Sequence, residues 1–478
     1  MAILTGPSSR NSGKAGTLKE FPHLITDPDI LAAYNEDTLG ITGDFDGVFR
    51  PRSEKEVSEI IKACASENIP VTPQGLRSSL TGASICDRGV VLSLEKMNRI
   101  LDIDLKNQKA VVEPGIIVSE LKNQLEKEGF TYPPDPTSAG ECTLGGNVAT
   151  NASGSRALKY GSTIDWITGL RAVDGNGEII HLRNISSEKF CTGFGALYRP
   201  VSLFVGSEGT LGVTTRIEID LAPLPADFFI GIVFFPQMKH ALDFTVEARK
   251  DPSYSPTSIE FLDDACLKII RPESKGFAIP TETRVMLYFE QEFRDNEEKD
   301  SLLDHWFQLI EKHTNLSDDT QIAITGKQKK HLHDLRHLVP AKANEDSTLA
   351  TKTGGCKIST DWAVPYDRIH DLFHYFDEIK HLLGDIPVLR FAHIGNGHPH
   401  FNFIARTPQE KKIAEEVDTI MALKAVELGG VVTGEHGIGK MKREHLKIQY
   451  PSKILSVMKA MKKELDPQGI MAPGNLFD

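Results

Sequence analysis

Two short stretches concentrate the side chains that could do chemistry. The first, HIGNGHPHFNF at 393–403, sets His393, His398 and His400 within eight residues around two glycines. In an extended chain, positions 398, 400 and 402 fall on one side. Neutral imidazole is the commonest protein metal donor, so this is a metal-ligand composition, although a turn of solvated histidines reads the same way. The second, Val431–Gly439, sets Glu435 beside His436 in a glycine-rich loop, pairing a possible metal ligand with a possible proton acceptor. An ordinary helix N-terminus capped by Thr433 is the plain alternative. Two histidines and one carboxylate together match a three-ligand metal site with an open position, and the combination carries more weight than either piece.

Three further stretches are rich in glycine and small residues: Thr72–Ala83, Pro133–Gly161 and Gly206–Pro225. Gly145, Gly146, Ala149, Ala152, Ser153 and Gly154 allow close backbone approach to a ligand and expose N–H groups to phosphate. A turn-rich surface loop would look similar, but structureless stretches of this length are usually functional. Two patterns mislead. Gly434-x4-Gly439-Lys440 imitates a Walker phosphate loop, yet Met441 stands where a magnesium-binding hydroxyl is needed. His333-Asp334-Leu335-Arg336-His337 imitates a zinc-protease motif, but its Asp is too short for the general base, and a solvated charged helix is the better reading. No G-x-G-x-x-G follows a strand and opens a helix, so a Rossmann site has no support.

These pieces need a scaffold. A helix beginning at Ser53, with Glu56 completing a capping box, runs to Pro70, and a second fits Val118–Gly129. Val90–Leu94, Lys109–Val112 and Thr214–Leu221 read as strands. Beyond LAPLP at 221–225, the strand Phe228–Phe235, the helix Pro236–Arg249, the strands Ser258–Leu262 and Arg284–Glu290 and the helix Asn296–His313 predict an antiparallel sheet with helices on one face. The last 65 residues read as helical around a loop at Thr433–Lys440. The chain of 478 residues is long enough for two or three domains, with 54 Lys plus Arg against 66 Asp plus Glu for a net charge of −12. That balance and the lack of a basic tract exclude generic nucleic-acid binding. No apolar run approaches the roughly 20 residues of a membrane helix, and the start lacks a signal-peptide core. The six scattered cysteines suit a reducing compartment, so the expectation is a cytoplasmic protein, with peripheral membrane association allowed.

From about residue 45 onward the sequence resembles the FAD-dependent D-2-hydroxyacid dehydrogenases (D-lactate, glycolate and D-2-hydroxyglutarate dehydrogenases) of the vanillyl-alcohol oxidase and p-cresol methylhydroxylase superfamily. PRSEKEV, TLGGNVATNASG, KYG, GSEGTLGV, the histidine strand, GEHGIGK and DPQGIMAPGNLF carry the likeness. The resemblance implies an α+β fold: a two-lobed FAD-binding domain, a cap domain with antiparallel sheet and helices, and a C-terminal helical segment returning to the FAD domain. The implied divisions are an N-terminal extension at 1–47, the FAD domain at 48–225, the cap at 226–430 and the returning segment at 431–478. FAD would be noncovalent, its pyrophosphate held by backbone of Pro73, Gln74, Gly75, Leu76, Arg77, Ser78 and Ser79 and of the Gly145, Gly146 and Asn147 turn. Pro134, Asp135, Pro136, Thr137, Ser138, Gly140, Thr143, Thr150, Asn151, Ala152, Ser153, Glu208, Gly209, Thr210, Gly212 and Val213 would line the rest.

By the same likeness His393, His400 and Glu435 would bind a divalent metal, Zn²⁺ first and Mn²⁺ or Fe²⁺ next. His436 would be the base, and Arg336 and Lys357 would hold the substrate carboxylate. The implied activity is flavin-dependent oxidation of a D-2-hydroxy acid, D-lactate favoured, with a cytochrome, quinone or electron-transfer flavoprotein as electron acceptor and a homodimer as the default assembly. An idle FAD-binding subunit, a flavin-free metallohydrolase and an ether-lipid synthase are the other readings. The intact Glu435, His436, Arg336 and Lys357 weigh against the first, and the synthase carries a histidine cluster in place of GEHGIG. The chain departs from the family at Asn396 and His398, where Asp and Asn are usual, at Arg77 in place of Gly, and at Asn475 in the final turn.

Overall fold

A computed structural model describes residues 23–274 and 278–477. Four sheets of three, two, five and seven strands organise the described residues, in keeping with the expected α+β class. A three-stranded parallel sheet holds Val90–Ser93 between Gly47–Phe49 and Val71–Gln74. The helix Glu54–Ser66 supplies the crossover, its Ser53 cap accepting from Glu56 N and its Val57, Ile61 and Cys64 buried at helical spacing. Gly47–Phe49 joins the sheet across the boundary drawn at 47, and Ile25 bridges to Val48, so residues 23–47 are tied to this part of the fold. Residues 1–22 of the expected extension lie outside the described residues.

Next comes a five-stranded antiparallel sheet in the order Ile100–Asp104, Lys109–Val112, Gly212–Asp220, Ile167–Asp174, Ile179–Arg183. The stretch 133–161, read as a long loop, contains the helices Leu144–Thr150 and Ala157–Tyr160, so the Gly145–Asn147 turn is the first turn of a helix capped by Thr143. The chain can wind there because Thr143 Oγ1 accepts from Gly146 N at 3.2 Å.

The large sheet is antiparallel throughout. Its seven strands run Gln321–Ala323, Asp227–Phe235, Val285–Phe293, Ser258–Asp263, Val388–His393, His398–Ala405, Cys356–Ser359. Helices cover both faces, which corrects the expected single helical layer. Phe229, Val233 and Phe235 face a core shared with the helices Met238–Lys250 and Asn296–His313. Ile230, Ile232 and Phe234 face another, shared with Asp264–Ile270 and Gly326–Thr351. Each fully buried side chain of this size contributes roughly 1.5–3 kcal/mol, so both layers are needed to cover the strand. Among the described residues, no helix is long and apolar enough to cross a membrane.

Candidate active site

Strand alternation decides where the histidines point. In His398–Ala405, Phe401 and Phe403 enter the core beneath Phe376, leaving His398, His400 and Asn402 on the opposite face. The partner strand Val388–His393 sets His393 opposite His398 and Phe391 opposite His400. A tight connection at Ile394–Asn396 ends in Gly397 at φ 67°, where a Cβ would stand 2.1 Å from Val364 O. On Ser258–Asp263, Ile259 and Phe261 enter the same core, so Glu260 shares the histidine face. Helix Gly326–Thr351 crosses that face and lowers Arg336 onto Glu260, Nη2 to Oε2 2.9 Å.

Glu435 reaches this face from its loop. His393, His400 and Glu435 each offer a ligand atom within 4.8 Å of the others. His393 Nδ1 lies 2.8 Å from Glu260 Oε1, and His400 Nδ1 lies 3.4 Å from Thr360 O. Both bonds call for a proton on Nδ1 and leave Nε2 as the free donor, 3.4 Å and 3.8 Å from the Glu435 oxygens. Burial would raise the Glu435 pKa, but the His393, His398 and His400 imidazoles hold it well below the usual carboxylate range. Burial, with His398 and His393 beside it, keeps His400 neutral, as a metal donor must be. Against burial, Glu260 and Glu435 raise His393 to about 10, so a cation bound at its Nε2 would displace a proton there. An anionic and imidazole-rich cage of this kind suits a divalent cation.

His436 stacks on His400 with centroids 5.8 Å apart. Burial lowers its pKa despite Asp361 nearby, so its ring is ready to accept a proton. Asp361, fully buried, anchors the loop: it accepts from Glu435 N (3.2 Å), His436 N (3.0 Å) and the Thr433 hydroxyl, while its carbonyl accepts from Gly434 N (2.7 Å). Asp361, His400 and His436 also meet as a possible metal group, but these bonds already occupy the carboxylate. His398, one of the departures, donates from Nε2 to Asp361 Oδ1 at 3.2 Å and packs on Gly434, where a Cβ would meet the ring at 2.9 Å.

The cluster opens into a cleft of about 2460 Å³, walled also by the glycine-rich segments near residues 75, 145 and 209. Residues 45–183 match the family described as FAD binding domain, and residues 224–476 match the C-terminal domain of FAD linked oxidases. The chain belongs to the FAD-linked oxidase family. The glycolate oxidase subunit GlcD of Bacillus subtilis (strain 168) is 32% identical over 90% of this chain and 89% of its own. A D-lactate dehydrogenase of Anaerostipes hadrus is 30% identical over 95% and 94%. The 4-ethylphenol oxidase of Gulosibacter chungangensis, solved with isoeugenol, shares the fold with TM-score 0.72 at 17% identity, covering 98% of each chain. Membership removes the flavin-free hydrolase reading.

The walls fit the family's cofactor. Gln74 Oε1, Ser84 Oγ and Asn147 Nδ2 line the cleft or its base, buried and without hydrogen-bond partners, as groups awaiting a polar ligand would be. Of the residues expected to hold FAD, Pro73, Gln74, Gly75, Leu76, Arg77, Ser78, Ser79, Pro136, Thr137, Ser138, Thr143, Gly145, Gly146, Asn147, Thr150, Ala152, Ser153, Glu208, Gly209, Gly212 and Val213 line the cleft. Pro134, Asp135, Gly140, Asn151 and Thr210 stand off it. Asp135 is taken up by Lys122 and Arg156, Asn151 closes a helix at φ 51° while accepting from Ile164 N, and the Thr210 hydroxyl turns to Ser207 O.

Arg336 and Lys357 both line the cleft with His393, His400, Glu435 and His436. Arg336 is already paired with Glu260, whereas Lys357 Nζ meets only a neutral amide in the bonds described, Asn344 Oδ1 at 2.6 Å, and burial lowers its pKa. His333 and His337 touch each other through Nε2 atoms 3.2 Å apart on the Arg336 helix. Sequence reasoning missed Glu260, Asp361, Asn402 and the cleft-lining stretch 38–44. Asn402 alone carried a signal, the alternation that groups it with His398 and His400. Its buried amide has neither Nδ2 nor Oδ1 bonded.

Proposed function

We propose that the protein oxidises a D-2-hydroxy acid, D-lactate first, to the 2-oxo acid. The observation carrying this reading is the convergence of His393, His400 and Glu435 within 4.8 Å, with His436 stacked alongside, on the wall of the cleft that the FAD segments share. FAD, when bound, supplies the acceptor for the hydride equivalent leaving C2. A divalent cation, Zn²⁺ first and Mn²⁺ or Fe²⁺ next, would be held by His393, His400 and Glu435 and would supply Lewis acidity toward the hydroxyl. Arg336 and Lys357 hold the substrate carboxylate and so fix the direction of C2. His436, kept neutral by burial, takes the hydroxyl proton on its ring nitrogen. Glu260 orients His393 and shares the Arg336 charge. D-lactate leads because relatives from several sources carry that name; glycolate and D-2-hydroxyglutarate, named for others, are the next substrates. Electrons then pass to a cytochrome, quinone or electron-transfer flavoprotein.

The test is a screen of D- and L-2-hydroxy acids with an artificial dye acceptor, on flavin-loaded protein before and after dialysis against a chelator. The expected result is turnover of D-lactate above its L form, lost with the metal and restored by Zn²⁺ or Mn²⁺. No turnover of any 2-hydroxy acid by metal-replete, flavin-loaded protein overturns the reading, and unchanged activity with no metal by elemental analysis removes the metal from it.

A further inference from the structure

We infer that Glu208 is a positioning residue: its carboxylate fastens the Glu435–His436 loop to the flavin-binding segment rather than contacting the cofactor. The inference rests on the site reading above and assigns a residue that sequence alone placed among the FAD contacts. Glu208 is 6% exposed, and its four polar groups are committed to three pieces of protein. Its N–H donates to Ala149 O at 2.8 Å, and its C=O accepts from Asn475 Nδ2 at 3.0 Å. Oε1 accepts from Ile438 N at 2.7 Å and Oε2 from Gly439 N at 2.6 Å. Both carboxylate oxygens are thus taken by amides of the Glu435–His436 loop.

The local backbone is shaped for this one connection. Glu208 sits at φ 49°, a left-handed conformation that a glutamate adopts only when surrounding contacts enforce it. Opposite, Gly437 is at φ 78°, and a Cβ there would stand 2.6 Å from Glu208 Oε1. Asp361, just past the edge strand Cys356–Ser359, grips the same loop through the amides of 435 and 436. The reactive pair is therefore slung between two buried carboxylates, Asp361 and Glu208. The Glu208 bonds tie its 438–439 end to the part of the fold that seats FAD, and just beyond them the amides of Lys440 and Met441 donate to Thr81 O. A displacement of about 1 Å between acid–base group and reaction centre can lower rate about a hundredfold, so the tether bears on chemistry without touching substrate.

The experiment compares wild type with Glu208→Gln, both flavin-loaded. The amide keeps one acceptor but turns an N–H₂ toward a loop N–H, so one of the two loop bonds is lost. Hydrogen exchange should speed up at amides 435–439 and not at 144–150, with flavin and metal content at wild-type levels. kcat should fall about tenfold or more, KM should stay within about twofold, and bleaching of the flavin by substrate should slow while reoxidation by dye does not. Gly437→Ala, which presses on the same carboxylate from the loop side, should give the same pattern. Unchanged exchange in the loop, full kcat, or a loss of activity that simply tracks lost flavin overturns the assignment. If wild type turns over no 2-hydroxy acid, the functional reading falls and loop exchange still decides the role of Glu208.

Discussion

Replacing Glu260 separates the two jobs of the buried carboxylate beneath the proposed cation site. It accepts from Arg336 at 2.9 Å and touches His393 Nδ1 at 2.8 and 2.9 Å, and is itself 5% exposed. Glu260→Ala leaves the Arg336 guanidinium buried without its counter-charge, which should destabilise the fold by about 3–5 kcal/mol. The same change frees the His393 ring, and loss of such a partner typically weakens metal binding 10–100-fold. At about 1.4 kcal/mol per decade, that is roughly 1.4–2.7 kcal/mol of metal affinity. Glu260→Gln keeps an acceptor for one neighbour and removes the charge, so it should hold the fold better while still loosening the metal. The assay is a chelator titration followed by elemental analysis, with thermal melting in parallel. Expected is a 10–100-fold drop in the chelator concentration that strips the ion. If both variants release metal at the wild-type concentration, the orienting role of Glu260 is refuted.

Two further outcomes follow from the same site. His436→Ala should lower turnover at least about a hundredfold with FAD still bound, measured as the rate of flavin bleaching by substrate; near-normal bleaching would take the proton-accepting role from His436. Burial raises the Glu208 carboxyl to about 7, against the Ile438 and Gly439 bonds that lower it, so the folded state holds this proton more tightly than the unfolded chain. The stability it contributes is complete below the ordinary carboxyl range and is lost as pH rises through about 7. The melting temperature of wild type relative to Glu208→Gln should therefore fall between pH 5 and pH 8, and a pH-independent difference would contradict the shift.

Much of the scaffold was legible because its signals are local. Helix Asn296–His313 appears with the predicted bounds, its Asp295 cap and buried Trp306, Leu309 and Ile310 spaced along one face. The strands near 228–235 and 258–262 extend the expected runs by one residue each. The single helical layer was wrong because a continuous apolar strand says that both faces are buried, and Phe228–Phe235 was such a run. At the site, composition brought out His393, His400, Glu435 and His436, since few other roles favour those types so close together. Glu260 and Asp361 were invisible: each is one acidic residue in an ordinary strand or loop, and only the tertiary register turns it toward an imidazole. The stretch 38–44 joins the cleft wall through long-range packing that leaves no periodic trace.

The hairpin of Val388–His393 and His398–Ala405 couples two kinds of selection. Sliding one strand by a single residue would turn Phe401 toward the cleft and His400 into the aromatic core, so the protein could not keep its fold while losing the aim of its imidazoles. Mutational drift that preserves the hairpin's register thus preserves where those side chains point. The crossing helix Gly326–Thr351 adds Arg336, Val339 and Asn344 to the cleft wall from outside the hairpin, so that part of the wall can change while the register stays as it is.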